Sequence, residues 1–187
     1  MCAPTVLCRR VLESSELAEL GRDLVEVSVL RGTFVLRSGQ TSSYYIDKYL
    51  FTTRPDILRR VAAALAGLLP SDAQRLAGPV LGAVPLVTAV SLETGLPTVI
   101  VRTDAPKGHG TARVIEGQLI EGDRVVLVED VVTTGGAALE AVRLLRESGA
   151  SVLAALCVVD REQGGPEAFA AAGVPFQALF TRTQLDL

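Results

Sequence analysis

The residues best suited to chemistry lie in one stretch, Val125–Ala137, which reads VVLVEDVVTTGGA. An apolar run ends there in two adjacent acids, Glu129 and Asp130, followed by a Thr-Thr-Gly-Gly turn and a helical pattern. The turn offers backbone N–H groups, two hydroxyls and a helix N-terminus, which together favour a phosphate. The acids are suited to a sugar diol, because carboxylates accept hydrogen bonds from its hydroxyls, or to a hydrated Mg²⁺. The pattern therefore indicates a ribose 5-phosphate site rather than an ordinary capped turn.

A second polar segment, VRTDAPKGHGT, also follows an apolar run and carries three cations, Arg102, Lys107 and His109. Its proline and glycines predict a flexible loop. On a solvent-exposed loop by itself, such cations would have no functional role. Beside a site for a sugar phosphate, however, they are suited to stabilising negative charge on the ligand. We therefore treat them as catalytic candidates.

These residues need a scaffold that brings the ends of separate segments together. Four short apolar runs, LAGPV, PTVIVR, RVVLVED and SVLAALCVVD, have the pattern of strands buried on both faces. Helical patterns lie between them at Val84–Thr94 and Gly136–Ser148. This alternation predicts an α/β fold with a central, mainly parallel sheet flanked by helices. Because ligands of such sheets bind at the carboxyl ends of the strands, the residues after each strand matter most.

The N-terminal third of the chain follows a different pattern. Apolar residues at helical spacing predict one helix over Ser14–Leu30, with a serine at position 14 or 15 as its N-cap, and another over Asp56–Leu69. Between them, Gly32–Leu36 and Ser43–Asp47 are short β-rich runs on either side of a turn-like segment, and they predict a hairpin.

Composition excludes several classes of protein. The 187 residues are 49% hydrophobic and 21% charged, which predicts one folded domain over residues 1–187. The net charge of −3 argues against a nucleic-acid partner. No apolar run reaches the roughly 20 residues that span a bilayer, and the N-terminus does not have the order of a secretory signal. Three scattered cysteines argue against a disulfide framework. We therefore expect a cytoplasmic protein without a membrane partner.

Several motifs resemble one enzyme family. VVLVEDVVTTGG closely resembles the 5-phosphoribosyl-1-pyrophosphate (PRPP) binding motif of type I phosphoribosyltransferases. GTFVLRSGQTSSYYID resembles the N-terminal hairpin of orotate phosphoribosyltransferases, VRTDAPKGHG their mobile catalytic loop, and VVDREQGG their base-binding strand. GPVLGAVP is similar to a pyrophosphate loop. The resemblance implies the type I phosphoribosyltransferase fold, with a small hood built largely from residues 1–50 and from the C-terminal segment after Phe176.

By resemblance, the reaction is transfer of the phosphoribosyl group from PRPP to orotate, with release of pyrophosphate. The acids would hold the ribose hydroxyls and the turn the 5-phosphate, whereas a guanidinium matches the carboxylate of orotate. The implied PRPP-binding residues are Glu129, Asp130, Val131, Val132, Thr133, Thr134, Gly135, Gly136, Ala137, Arg102, Lys107 and His109. The implied orotate-binding residues are Arg37, Tyr45, Thr133 and Arg161. The implied catalytic residues are Lys107, His109, Arg102 and Asp130.

The resemblance also implies a cofactor and a partner. Mg²⁺ would be held by the pyrophosphate oxygens, with Asp130 as a candidate ligand through water. The catalytic loop would close over the active site of a neighbouring subunit, which implies a homodimer with shared sites. Three positions depart from the family pattern, because Arg37, Gly82 and Thr103 stand where relatives carry lysines.

Two other functions fit parts of the pattern. A phosphoribosyltransferase for a purine or another base would keep the PRPP motif but would not need Arg161. A PRPP-binding regulator with reduced catalysis would keep the acids and the turn, but it would gain nothing from Lys107 and His109 on a mobile loop. Base consumption by the purified protein distinguishes the three functions.

Overall fold

A computed structural model describes residues 12–35, 41–103 and 113–187. The helices, in chain order, are α1 (Ser14–Ser28), α2 (Lys48–Thr52), α3 (Pro55–Leu68), α4 (Ala83–Thr94), α5 (Gly136–Glu147) and α6 (Gly165–Ala171). The strands are β1 (Val29–Val35), β2 (Thr41–Ile46), β3 (Arg75–Pro79), β4 (Thr98–Val101), β5 (Ile115–Glu116), β6 (Arg124–Val132), β7 (Ser151–Asp160) and β8 (Phe176–Thr181). A 3-10 helix covers Thr183–Leu185.

The central sheet has the strand order β5-β4-β3-β6-β7-β8. All its neighbouring strands pair in parallel except β5, which is antiparallel to β4. This confirms the predicted α/β class and its mainly parallel sheet. With β6 near the centre, the carboxyl ends of β3, β6 and β7 lie side by side at one edge of the sheet.

Each face of the sheet has its own apolar core. On one face, side chains of β6 and β7 such as Val128 and Leu156 join leucines of α1, α3 and α4. On the other face, Leu127 and Cys157 pack with residues of α5 and α6. The alternation of side chains along a strand explains why neighbouring residues of β6 enter different cores. Burial on both faces is the reason that these strands read as continuous apolar runs.

The first helix begins at Ser14, as predicted, but its N-cap differs and it ends two residues before the predicted end. Its N-cap is Glu13 rather than a serine, because Glu13 and Glu16 form a reciprocal capping box in which the Glu13 N–H donates to Glu16 Oε2 over 3.0 Å. The helix ends at Ser28, whose carbonyl accepts the Asp47 N–H over 2.8 Å. Val29 and Leu30 therefore belong to β1 instead of the helix.

β1 and β2 form a separate antiparallel hairpin that pairs Leu30 with Tyr45 and Arg31 with Tyr44. The predicted hairpin is thus confirmed, although its turn lies outside the described residues. Short elements such as α2, β5 and α6 escaped the sequence analysis, since five, two and seven residues are too few to show a periodicity.

The C-terminal segment divides between two places. Its strand β8 pairs with β7 at the edge of the central sheet, whereas the family resemblance implies that the segment after Phe176 returns to the hood. Beyond β8, Leu185 joins the core that includes Leu20 and Leu24 of α1. Within the described ranges, no helix combines the length and the apolar character needed to cross a membrane.

Candidate active site

The turn between β6 and α5 presents backbone donors at the end of the central strand. Gly135 has a φ of +82°, a left-handed conformation that glycine adopts without strain. The first α-helical hydrogen bond of α5 runs from the Leu139 N–H to the Gly135 carbonyl over 2.8 Å. The N–H groups of the preceding residues therefore have no acceptor within the helix. Together with the helix dipole they form a site for an anion.

This turn opens into a cavity of about 620 Å³. The lining contains the whole predicted phosphate-binding turn and three of the four predicted orotate-binding residues. In chain order it comprises Val35, Tyr45, Glu129, Val131, Val132, Thr133, Thr134, Gly135, Gly136, Ala137, Ala138, Arg161 and Gln163. The sequence motifs do not predict Val35, Ala138 or Gln163 as site residues. The fold thus brings the hairpin, the β6–α5 turn and the end of β7 around one cavity.

The two acids of β6 are both buried but have different surroundings. Glu129 lines the cavity, and burial together with the neighbouring charge of Asp130 raises its pKa to about 8. Burial also raises the pKa of Asp130, against the opposing effect of the Lys48 ammonium. Hydroxyl donors on a ligand would favour the ionised form of Glu129, because hydrogen bonds to a carboxylate stabilise its charge.

Asp130 contacts Lys48, a residue that the sequence analysis missed. The Lys48 Nζ lies 3.1 Å from Oδ2 and 3.4 Å from Oδ1 of Asp130. The ion pair lies against Gly82, where an added Cβ would be 2.0 Å from Asp130 Oδ2. Lys48 belongs to no motif and is 82 residues from Asp130 in the chain, so only the folded structure reveals the contact.

Arg161, the first residue after β7, is 7% exposed and lines the same cavity. Its backbone N–H donates to the Val132 carbonyl over 2.8 Å, which ties it to the end of β6. The guanidinium carbon lies 5.3 Å from the centre of the Tyr44 ring. Its buried Nε has no hydrogen-bond partner among the described residues. A buried N–H without an acceptor is costly, so this guanidinium is prepared for an anionic ligand.

The hairpin supplies the aromatic wall of the cavity. Tyr45 is 42% exposed, and its ring centroid lies 5.7 Å from that of Phe34 at an interplanar angle of 35°. A ring held on one side and exposed on the other is suited to stacking against a planar base. The neighbouring Tyr44 instead contacts Arg161, so the two tyrosines serve different parts of the site.

The remaining predicted cations are separate from this cavity or outside the described residues. Arg102 follows β4 and forms an ion pair with Glu116 of β5, with 3.5 Å between NH1 and Oε1. Both side chains are more than 40% exposed, and exposed pairs of this kind contribute little, so Arg102 can exchange its partner easily. Arg37, Lys107 and His109 lie outside the described residues.

The described residues do not form a complete Mg²⁺ site by themselves, but they are compatible with an ion that the substrate also coordinates. In that part of the chain, no three or more His, Cys, Asp or Glu side chains are grouped in a way that would bind a metal. Asp130 Oδ2, however, is buried and forms an ion pair with Lys48 at 3.1 Å, without a described hydrogen bond. Mg²⁺ commonly combines one or two carboxylates with substrate phosphates and water, and this donor set suits that arrangement.

Comparison with known proteins decides the family. A family model described as phosphoribosyl transferase domain matches residues 52–171. An orotate phosphoribosyltransferase of Halobacterium salinarum is 51% identical over 154 residues, which cover 82% of this chain and 87% of that protein. The chain belongs to the orotate phosphoribosyltransferase family. Another orotate phosphoribosyltransferase, from a Nocardioides species, is 44% identical over 169 residues, covering 90% of this chain and 94% of the relative.

A solved structure of the family has the same fold. The orotate phosphoribosyltransferase of Mycobacterium tuberculosis in complex with PRPP superposes with a TM-score of 0.78 at 31% sequence identity. The match covers 92% of this chain and 99% of the other. The fold is therefore that of the type I phosphoribosyltransferases, as the sequence motifs implied.

Proposed function

We propose that this protein transfers the 5-phosphoribosyl group from PRPP to a ring nitrogen of orotate, giving orotidine 5-monophosphate and pyrophosphate, a step of pyrimidine biosynthesis. The observation that carries the proposal is the buried Arg161, whose Nε has no described partner and which lines the same cavity as the phosphate-binding turn. Orotate differs from other pyrimidine bases by a carboxylate, and a guanidinium binds a carboxylate through two parallel hydrogen bonds.

PRPP takes the β6–α5 side of the cavity. Backbone N–H groups and the hydroxyls of Thr133 and Thr134 bind the 5-phosphate, with the α5 dipole favouring its charge. Glu129, and with it Asp130, accepts hydrogen bonds from the ribose hydroxyls. On the opposite wall, Tyr45 stacks on the orotate ring and Arg161 binds its carboxylate. The two substrates therefore meet over the carboxyl ends of β6 and β7.

The reaction builds positive charge on the ribose carbon while negative charge grows on pyrophosphate. Glu129 and Asp130 lie at the end of β6, beneath the ribose, where their carboxylates orient it and oppose its developing charge. When bound, Mg²⁺ would be held by pyrophosphate oxygens and by Asp130 through water, and it would neutralise charge on the leaving group. Walls from β2, α5 and the β7–α6 loop restrict water, which would otherwise hydrolyse PRPP.

We further propose that Arg102, Lys107 and His109 are cations that bind pyrophosphate from a closing loop. The protein would be a cytoplasmic homodimer in which the two subunits share their active sites. Mixing a Lys107→Ala variant with an Arg161→Ala variant tests the shared sites. If each site takes its loop from the partner, random mixed dimers regain up to about a quarter of wild-type activity. Mixtures as inactive as the separate variants would contradict this arrangement.

The reverse reaction tests base recognition with a matched pair of nucleotides. Uridine 5-monophosphate lacks only the carboxylate of orotidine 5-monophosphate. We expect the protein to release the base from orotidine 5-monophosphate when pyrophosphate and Mg²⁺ are supplied, and to leave uridine 5-monophosphate intact. Release from both nucleotides would refute carboxylate recognition and favour an enzyme for another base. Release from neither, with PRPP still bound, would favour a PRPP-binding regulator.

A further inference from the structure

We propose that Lys48 binds the pyrophosphate group of PRPP, and that Asp130 holds the ammonium in position before the substrate arrives. This inference rests on the proposed function, because it names a further contact for the same substrate. It comes from the juxtaposition of the first residue of α2, the end of β6 and the loop between β3 and α4.

The ammonium lies directly on the backbone of the β3–α4 loop. A Cβ added to Gly82 would be 2.6 Å from both Cε and Nζ of Lys48. Since β3 and β6 are parallel neighbours, this loop and Asp130 lie at the same edge of the sheet. Lys48 therefore brings its charge to the edge where the phosphate-binding turn also lies.

The ion pair leaves part of the ammonium available. The Lys48 side chain is 35% exposed, whereas that of Asp130 is 2% exposed. An ammonium has three N–H donors, and the two Asp130 oxygens accept at most two of them. Burial lowers the pKa of Lys48, but the charges of Asp130 and Glu129 raise it more, so the side chain is cationic at neutral pH. A cation with a donor left over is suited to a phosphate oxygen.

The sequence explains why this cation is a lysine. The 18 cationic Lys and Arg residues comprise 16 arginines and two lysines, Lys48 and Lys107. A guanidinium is broad and planar, and it would not fit where even a Cβ at Gly82 would collide. The compact ammonium fits, so one contact accounts for both the lysine and the glycine.

A simpler role for Lys48 is only to neutralise the charge of Asp130. Ligand-binding measurements distinguish this role from direct binding of pyrophosphate. The variant is Lys48→Met, compared with wild type by calorimetric titration with inorganic pyrophosphate, PRPP and ribose 5-phosphate in magnesium buffer. If Lys48 binds pyrophosphate, the affinities for pyrophosphate and PRPP fall by about tenfold to a hundredfold, while that for ribose 5-phosphate changes less than about twofold. Arg59→Met, an equal loss of charge at an exposed position of α3, should leave all three affinities unchanged.

Equal losses for the three ligands, or no loss for pyrophosphate, would overturn the inference. A second measurement on the wild-type protein avoids any folding defect of the variant. Because the sequence has two lysines, acylation of each is readily followed by mass spectrometry. We expect pyrophosphate to slow acylation of Lys48, and an unchanged rate would also overturn the inference. Failure of wild type to use orotate would instead refute the proposed function, since neither of these readouts requires orotate.

Discussion

Replacing Arg161 by methionine should impair use of orotate far more than binding of PRPP. Arg161 is 7% exposed, so its charge would be paired with the carboxylate in a site largely shielded from water. Removing one partner of a buried, hydrogen-bonded charge pair costs about 2–5 kcal/mol, and each 1.4 kcal/mol is tenfold. A loss of about 3 kcal/mol corresponds to roughly 150-fold in kcat/KM for orotate.

The same variant should be as stable as wild type or slightly more stable. In the free protein, the Nε of Arg161 lacks a hydrogen-bond partner among the described residues, and methionine removes that cost while filling similar volume. The opposing loss is the contact with the Tyr44 ring, about 0.5–2 kcal/mol. We therefore expect the free energy of unfolding to change by no more than about 1 kcal/mol.

Steady-state kinetics with each substrate varied, together with a PRPP titration, measures both effects. Arg143→Met on the exposed face of α5 is the matched control, because it removes the same group at a residue that does not line the cavity. Its kcat/KM for orotate should stay near that of wild type. A similar loss for orotate and PRPP in Arg161→Met would refute the assignment of Arg161 to the base, as would a drop in stability large enough to explain the lost activity.

Two further predictions concern the acids and the glycine that contacts them. The folded-state pKa of Glu129 is raised to about 8, so its contribution to stability is full below its ordinary value of 4.5 and is lost as the pH rises through about 8. Ribose 5-phosphate affinity should increase over the same range, because a diol favours the ionised carboxylate; calorimetry with inorganic phosphate as the control checks this, and equal pH profiles would contradict it. In Gly82→Ala the new Cβ would be 2.0 Å from Asp130 Oδ2 and 2.6 Å from Lys48 Nζ, so the ion pair must shift. We expect PRPP affinity to fall by about tenfold, with about 1–3 kcal/mol lost in thermal unfolding; unchanged PRPP affinity would argue against a role for this pair in the site.

The sequence predicted those parts of the fold whose residues repeat at a clear spacing. The strands β3, β4, β6 and β7 are apolar on both faces, and α3, α4 and α5 are long enough to show their periodicity. The β6–α5 turn was equally readable, because Thr133, Thr134 and the two glycines follow one another in the chain. The left-handed conformation of Gly135, with a φ of +82°, and the start of α5 depend on neighbouring residues in the chain, so the local sequence predicts them.

Contacts between distant segments could not be read in the same way. Lys48 and Asp130 are brought together by the position of α2, which packs against α1 and α3 and has only five residues. The contact of Arg161 with Tyr44 depends equally on how the hairpin meets the end of β7. The N-cap of α1 was misplaced because glutamates can form a capping box in place of the more usual serine.

The proposed activity is tested most directly by base consumption by the purified protein with PRPP and Mg²⁺, followed spectroscopically. Orotate is compared with uracil, adenine, hypoxanthine and xanthine under the same conditions. We predict loss of orotate alone, since only orotate carries a carboxylate for Arg161. Consumption of another base would contradict the role of Arg161, and consumption of none, with PRPP still bound, would contradict the proposed activity itself.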